Sequence, residues 1–287
     1  MERIGFVGTG MMGSPMACNL VKAGFEVLVY DTRPEATKDC LALGARPAGK
    51  ISELAGCEAV FVMVHSGPQV EEVLLGEQGL LKGMQQGQKL IAVIMSTISP
   101  QLIKKLAQAT APEGLTLIDA PVSGGPILAQ LGALTFMVGG DEAVLDTVRP
   151  CLKAMGNNLF YIGPLGKGLA MKLVNNIVGI TNAYVFTEAV KIGHAGGLDL
   201  HRAVEVINAS SGRNWCSENW EMYVQFVGIV LKDVSFNDTA IKDIKTAIDW
   251  AGEMDLSSPI LKAALAVVEA GVDMPEDLHR EMLATKA

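Results

Sequence analysis

Arg3-Ile4-Gly5-Phe6-Val7-Gly8-Thr9-Gly10-Met11-Met12-Gly13 decides the fold class. The apolar run Arg3–Val7 predicts a buried strand. A G-x-G-x-x-G loop follows, spanning Gly8, Gly10, Met11, Met12 and Gly13, and it opens a pattern in which Met16, Ala17, Leu20 and Val21 recur at helical spacing. A second strand, expected over Glu26–Tyr30, ends in Asp31, 18 residues after Gly13 (31 − 13). Each part has a physical task. Gly8 permits the tight turn, Gly10 lets the backbone approach a pyrophosphate, and Gly13 lets helix and strand pack closely. The helix N-terminus offers free N–H groups and a positive dipole end. Asp31 suits a ribose 2′-hydroxyl and repels a 2′-phosphate, which favours NAD; Arg33, beyond Thr32, is a possible receiver of that phosphate and keeps NADP open.

Outward from this unit, strand and helix patterns alternate to about residue 163. Further strands are expected over 59–64, 90–94, 115–119, 134–138 and 159–162, with helices over 35–43, 68–75, 100–111 and 143–155. Such alternation predicts an α/β Rossmann domain over 1–163 with a mostly parallel sheet. The glycine-rich stretch Gly163-Pro164-Leu165-Gly166-Lys167-Gly168 marks a boundary. After it the strand signal vanishes. Helices are expected over 169–194, 199–210, 224–254 and 259–270, followed by a charged tail. The second domain, 164–287, thus reads as all-helical, joined to the first by a long interdomain helix.

Composition excludes several classes. The 287-residue chain is acidic at net charge −8 and has no basic run, which argues against nucleic acid or an anionic membrane as partner. Five scattered cysteines without a C-x-x-C read as reduced thiols of a cytoplasmic protein. The first strand begins at residue 3, where a signal peptide would have to stand. No apolar run is long enough to predict a transmembrane helix. Four dispersed histidines give no metal-ligand spacing, so no metal is expected. The apolar helical domain predicts a homo-oligomer, a dimer or tetramer.

Two stretches carry the chemistry. Asp119-Ala120-Pro121-Val122-Ser123-Gly124-Gly125 follows an apolar strand, and ligands of open parallel sheets sit beyond the carboxyl ends of strands. A serine before two glycines can turn successive N–H groups toward one anion, such as a substrate carboxylate; the same residues would also serve a plain turn. Gly168-Leu169-Ala170-Met171-Lys172-Leu173-Val174-Asn175-Asn176 opens the long helix, and its i,i+4 spacing puts Lys172 and Asn176 on one face. The helix is apolar on nearly every side, which predicts burial and a desolvated lysine able to exchange protons near neutrality. A lysine snorkelling to water at the helix rim is the alternative.

These three motifs, in this order, resemble those of the β-hydroxyacid dehydrogenases, the 3-hydroxyisobutyrate dehydrogenase group that includes tartronate semialdehyde reductase and L-threonate dehydrogenase. The resemblance implies reversible hydride transfer between a nicotinamide and a short 3-hydroxy acid or its semialdehyde. It makes Lys172 the acid/base, Asn176 a substrate-holding group, and Ser123, Gly124 and Gly125 the carboxylate site. It further puts Val64 and His65 beside the cofactor where the family has Leu-Pro, Thr97 near the nicotinamide ribose, and Lys232 near the cofactor. Trp215, in Ser211–Trp215, would line the substrate pocket, or else be a core tryptophan after a helix-breaking turn. The departures are His65 for proline, Val234-Ser235-Phe236-Asn237 after Lys232-Asp233, and no glycine-rich segment after Gly271. An imine reductase or a 6-phosphogluconate-type enzyme on the same scaffold, and a non-catalytic dinucleotide-binding module, are the alternatives. Lys172 argues against the first, the scarcity of placed basic residues against the second, and the joint retention of Lys172, Asn176 and Ser123 against the third.

Overall fold

The computed structural model describes residues 1–230, 235–271 and 274–285. The chain divides into two compact units, Met1–Lys172 and Leu173–Ala287.

The first unit runs β1 (Arg3–Val7), α1 (Gly13–Lys22), β2 (Glu26–Tyr30), α2 (Lys38–Ala42), β3 (Arg46–Pro47), β4 (Ala59–Val62), α3 (Gly67–Leu75), α4 (Leu80–Gly83) and β5 (Leu90–Ile94). It continues with α5 (Pro100–Thr110), β6 (Leu115–Asp119), β7 (Val122–Ser123), α6 (Gly125–Gln130), β8 (Thr135–Gly139), α7 (Glu142–Met155) and β9 (Asn158–Gly163). The strands form one sheet ordered β3-β2-β1-β4-β5-β6-β8-β7, with β9 paired to β8. Pairing is parallel from β3 through to β6 and antiparallel where β8 meets β6 and β7. Strand order reverses between β1 and β4, the kind of crevice where doubly wound sheets bind ligands.

Period-2 alternation builds the two cores. Ile4 and Phe6 of β1 and Phe61 of β4 face one side with Met16, Leu20, Val148 and Leu152 of α1 and α7. Val7, Val60 and Val62 face the other with Val70 and Leu74 of α3 and Ile103 and Leu106 of α5. Both sheet faces are therefore covered, and the central strands read as continuous apolar runs. The two-residue strands β3 and β7 and the short helices α4 and α6 escape the sequence patterns.

Helix α8 (Lys167–Ala195) crosses the boundary between the units as one uninterrupted helix of 29 residues. Leu169 and Leu173 are buried, but Val174, Val178, Val185 and Ile192 are 41–74% exposed, so within one chain α8 is not buried all round as its composition suggested.

The second unit contains α9 (Leu200–Asn208), α10 (Trp215–Glu218), α11 (Trp220–Val230), α12 (Ser235–Gly252), α13 (Pro259–Ala270) and α14 (Glu276–Ala284). Its core gathers Phe186 and Val190 of α8, Trp220 and Tyr223 of α11, and Leu278 and Met282 of α14. The three aromatic rings pack with centroids 5.1–6.2 Å apart. Their polar ends are satisfied: Tyr223 shares a 2.6 Å hydrogen bond with Thr187, and Trp220 Nε1 donates to the Thr285 carbonyl at 3.0 Å. The span 224–254 holds the later part of α11 and the whole of α12, with residues 231–234 outside the described ones. The charged tail folds as α14 because Leu278 and Met282, one turn apart, bury an apolar stripe.

Candidate active site

The carboxyl ends of β1, β2, β4, β5 and β6 share one edge of the parallel sheet, and every residue singled out in the first unit before Lys172 follows one of them. After β1, the turn is held by the Gly8 N–H, which donates to the Tyr30 carbonyl at 2.9 Å. Gly8 has φ +89°, and a Cβ there would lie 2.3 Å from the Met63 carbonyl oxygen. A Cβ on Gly13 would lie 1.8 Å from the Gly8 carbonyl oxygen. Both glycines are required by packing within the chain. Gly10 is different: a Cβ there would meet only Arg33 Nη2, at an ordinary 3.7 Å. Nothing in the chain itself demands a glycine at 10, whereas a close-lying diphosphate would. Helix α1 has Met12 at its N-cap, with no side-chain cap and no acid in its first turn, leaving its positive end to an anion. The loop therefore fits a dinucleotide.

After β2, Asp31 Oδ2 accepts from the Thr9 N–H at 2.8 Å and Oδ1 accepts from the Arg33 N–H at 2.9 Å. The carboxylate thus ties the glycine loop to its own turn. The exposed Arg33 guanidinium lies with Nε 3.7 Å from Asp31 Oδ1; Thr32 is exposed beside it. After β4, the Val64 N–H donates to Ser96 Oγ at 2.9 Å, which joins this loop to the one after β5 where half-buried Thr97 sits. His65 is exposed; its N–H donates to Gln69 Oε1 at 2.8 Å, just before the Ser66–Gln69 capping box of α3. That places it in a helix-entry turn. Met11 is exposed and Met12 half-buried on the loop.

After β6 comes the Asp119–Gly125 segment. Ser123 ends β7, and Gly124 and Gly125 take φ +129° and +68°, angles that favour glycine. Asp119 is fully buried. Its Oδ1 accepts from the Gly166 N–H at 2.6 Å and its Oδ2 from the Leu169 N–H at 2.7 Å, so it closes the N-terminus of α8. Burial pushes this carboxyl up to about 6, against the pull of those N–H donors. Half-buried Lys172 is one turn beyond Leu169.

In the second unit, Asn176 Nδ2 donates to Asp243 Oδ2 at 2.6 Å, and Asp243 Oδ1 accepts from Lys242 Nζ at 2.6 Å. A carboxylate only accepts, so the amide nitrogen of Asn176 must face Asp243. Trp215 is 52% exposed at the start of α10, where Asn214 forms a capping box with Ser217; the core tryptophan of this unit is Trp220. Lys232 lies outside the described residues. Sequence alone does not mark the contacts of Asp119 and Asp243: Asp119 stands inside the Asp119–Gly125 segment, but its partners are 47 and 50 residues away, and nothing local marks Asp243. Among the described residues no group of three or more His, Cys, Asp or Glu side chains could hold a metal ion, and no helix is long and apolar enough to cross a membrane.

Comparison with known proteins finds two family matches along the chain. Residues 3–163 match the NAD-binding domain of 6-phosphogluconate dehydrogenase, and residues 166–282 match the NAD-binding domain of NADP-dependent 3-hydroxyisobutyrate dehydrogenase. The chain is 39% identical to an NAD-dependent L-serine dehydrogenase of Pseudomonas aeruginosa, over 93% of this chain and 91% of that one. It is 37% identical to a 3-hydroxyisobutyrate dehydrogenase of the same organism, over 91% and 89%. It is 33% identical to the 2-(hydroxymethyl)glutarate dehydrogenase of Eubacterium barkeri, over 94% and 89%. Among solved structures, Mycobacterium tuberculosis 3-hydroxyisobutyrate dehydrogenase with L-serine superposes over the full length of both chains with a TM-score of 0.80 at 25% identity. Imine reductases share the fold at 15–18% identity. With a glycine loop open for a dinucleotide and relatives that are hydroxyacid dehydrogenases along nearly their whole length, the chain belongs to the β-hydroxyacid dehydrogenase family and is an NAD(P)-dependent oxidoreductase of the 3-hydroxyacid dehydrogenase type.

Proposed function

We propose that the protein oxidises a short 3-hydroxy acid, or reduces the matching semialdehyde, with Lys172 as the acid/base. The observation that carries this reading is the tie between Asp119, Gly166 and Leu169, which starts the Lys172 helix at the strand end that also leads into the Ser123 loop. Bound nicotinamide supplies the two-electron redox chemistry. The glycine loop with Met11 and Met12, Asp31, Thr32 and Arg33, Val64 and His65, and Thr97 hold the cofactor; Lys232 joins them by family resemblance. Ser123, Gly124 and Gly125 fix the substrate carboxylate, so the hydroxyl-bearing carbon is presented in one orientation. Lys172 takes the hydroxyl proton during oxidation and returns it during reduction. Asn176, turned by Asp243, orients the substrate oxygen, and exposed Trp215 lines the pocket.

NAD is the preferred cofactor, because the Asp31 carboxylate stands at the end of β2 and disfavours a 2′-phosphate. L-Serine and 3-hydroxyisobutyrate head the substrate panel, as the names of the relatives suggest. Domains divide at 163/164, where the glycine-rich stretch begins. The exposed Val178, Val185 and Ile192 of α8 and Ile260 of α13 support a homo-oligomer, a dimer or tetramer, which light scattering reads directly. Five free buried cysteines support a reducing, cytoplasmic setting.

The test is nicotinamide absorbance with short 3-hydroxy acids and their aldehydes, using NAD and NADP in both directions. Lys172→Ala should lower kcat about 10²–10⁴-fold, the worth of one positioned acid/base. A near-normal Lys172→Ala enzyme would refute the role.

A further inference from the structure

We infer that Asp119 is a positioning residue: its buried carboxylate fixes the first turn of α8, and with it Lys172, in register with the Ser123 loop. The inference rests on the proposed role of Lys172 and deepens it.

Among the described residues, α3, α5, α7, α9 and α10 are capped by the side chain of the residue just before them. Asp141 caps α7 by accepting from the Ala143 and Val144 N–H groups at 2.8 and 3.2 Å. Asp199 caps α9 by accepting from the Arg202 N–H at 2.8 Å. Such local caps stabilise a helix end but leave its place in the fold to packing. The acid on α8 comes instead from the end of β6, 47 and 50 residues earlier in the chain. It is fully buried, and the neighbouring strand and helix make room for it with glycine. A Cβ on Gly139 would lie 2.7 Å from its Oδ1, and one on Gly168 would lie 2.8 Å from its Oδ2. Its contacts at Gly139, Gly166, Gly168 and Leu169 are with backbone. A buried carboxylate held by N–H groups is a costly way to end a helix, and burial does push this one up toward neutrality. What the arrangement adds over a local cap is a connection. Ser123 is four residues beyond Asp119 along the chain, and Lys172 is three residues beyond Leu169, about 4.5 Å of helix rise. One side chain therefore sets two parts of the proposed site against each other.

The experiment compares the wild-type protein with Asp119→Asn, Asp119→Ser and, as a control, Asp141→Ala. Asparagine keeps the size but offers one acceptor oxygen and turns an NH₂ toward the second N–H; serine keeps one acceptor in a smaller volume should asparagine fail to fold. At a temperature well below melting, the Asp119 variants should lose about 10²-fold in kcat, the scale of a misplaced reacting group. Their NADH Kd should stay within about threefold of the wild type, since the glycine loop is untouched. Amide exchange at Gly166, Gly168 and Leu169 should quicken at least about tenfold, as expected for a lost buried tie. Asp141→Ala should lower the melting temperature and leave kcat alone. Unchanged exchange at the three amides, or an equal fall of kcat in Asp141→Ala, would overturn the inference. A wild type that turns over nothing on the panel would instead sink the substrate reading, and amide exchange would still decide the role of Asp119.

Discussion

Alanine at Gly10 and alanine at Gly13 should have opposite effects, although both replace a glycine of the same loop. At Gly13 the new methyl would sit 1.8 Å from the Gly8 carbonyl oxygen, 2.9 Å from its carbon and 3.1 Å from the Phe6 ring. Ordinary contact begins near 3.4 Å, so main chain must move by more than an ångström where β1 meets α1. Overpacking of this kind costs about 1–3 kcal/mol, and the upper end applies because the obstruction is backbone. At Gly10 the methyl meets only the end of a flexible arginine at 3.7 Å, and φ there is not in the left-handed region. Gly→Ala at a compatible site stabilises by about 0.4–1 kcal/mol through the unfolded chain. The two variants should therefore differ by roughly 3 kcal/mol, or on the order of 5–10 °C in melting temperature. Cofactor binding should rank them the other way. A methyl at 10 stands where the diphosphate must approach, and NADH affinity should drop about 10–100-fold, or ~1.4–2.8 kcal/mol. Thermal melting and NADH fluorescence titration read both effects on the same samples. A Gly10→Ala protein that binds NADH within twofold of the wild type would mean that no diphosphate passes there. A Gly13→Ala protein as stable as the wild type would refute the packing argument.

Two further outcomes are expected besides those for Lys172 and Asp119. Asp31→Asn should narrow the kcat/KM preference for NAD over NADP by about tenfold or more, because it removes the charge that opposes a 2′-phosphate while Arg33 remains; an unchanged ratio would show that Asp31 serves to tie the Thr9 and Arg33 N–H groups and not to select the cofactor. His194 bridges Asp277 at 3.2 Å and Glu281 at 2.8 Å, linking the end of α8 to α14, and the Asp277 hydrogen bond, with Glu281 adding to it, raises its pKa. Because the folded value is the higher one, this tie is fully present below about pH 6.5 and is lost as pH rises through the raised value. Protection of the α14 amides should fall over that window in the wild type and not in His194→Gln.

Much of the sheet was legible because its determinants are local. β1, β2, β5 and β6 each carry their apolar run in five consecutive residues, and the covered faces follow from alternation within each. β3 was not legible: Arg46 and Pro47 are both exposed and join the sheet only through pairing with Leu28 and Val29. β7 is two residues inside a loop, held by Phe136 and Thr135 of β8. Helix α8 could be read from its long, proline-free apolar run, but not its environment, since composition does not say which side faces solvent. The same limit applies at the site. The glycine spacing predicts a loop for a phosphate-like group, yet only the fold separates the glycines that packing needs, 8 and 13, from the one that it does not, 10. Trp215 and Trp220 are alike as letters, and only tertiary packing buries the second and leaves the first exposed.

The two groups proposed to handle the substrate oxygen are held in a way that follows from these contacts. Lys172 and Asn176 belong to one helix, four residues and about 6 Å of rise apart, so their spacing is set by α-helical geometry. Each end of that short span is then anchored by a different buried acid. Asp119 holds the turn before Lys172 through two N–H groups, and Asp243 holds the Asn176 side chain through its amide. The first anchor fixes where the helix begins; the second fixes which way the amide is turned, because the carboxylate cannot donate. Neither acid need touch a substrate to matter. If both act so, loss of Asp243 should leave Lys172 chemistry in place and weaken substrate capture, raising KM more than it lowers kcat, whereas loss of Asp119 should do the reverse. The contrast follows from where each carboxylate grips the helix, at the backbone of its first turn or at one side chain a turn further on.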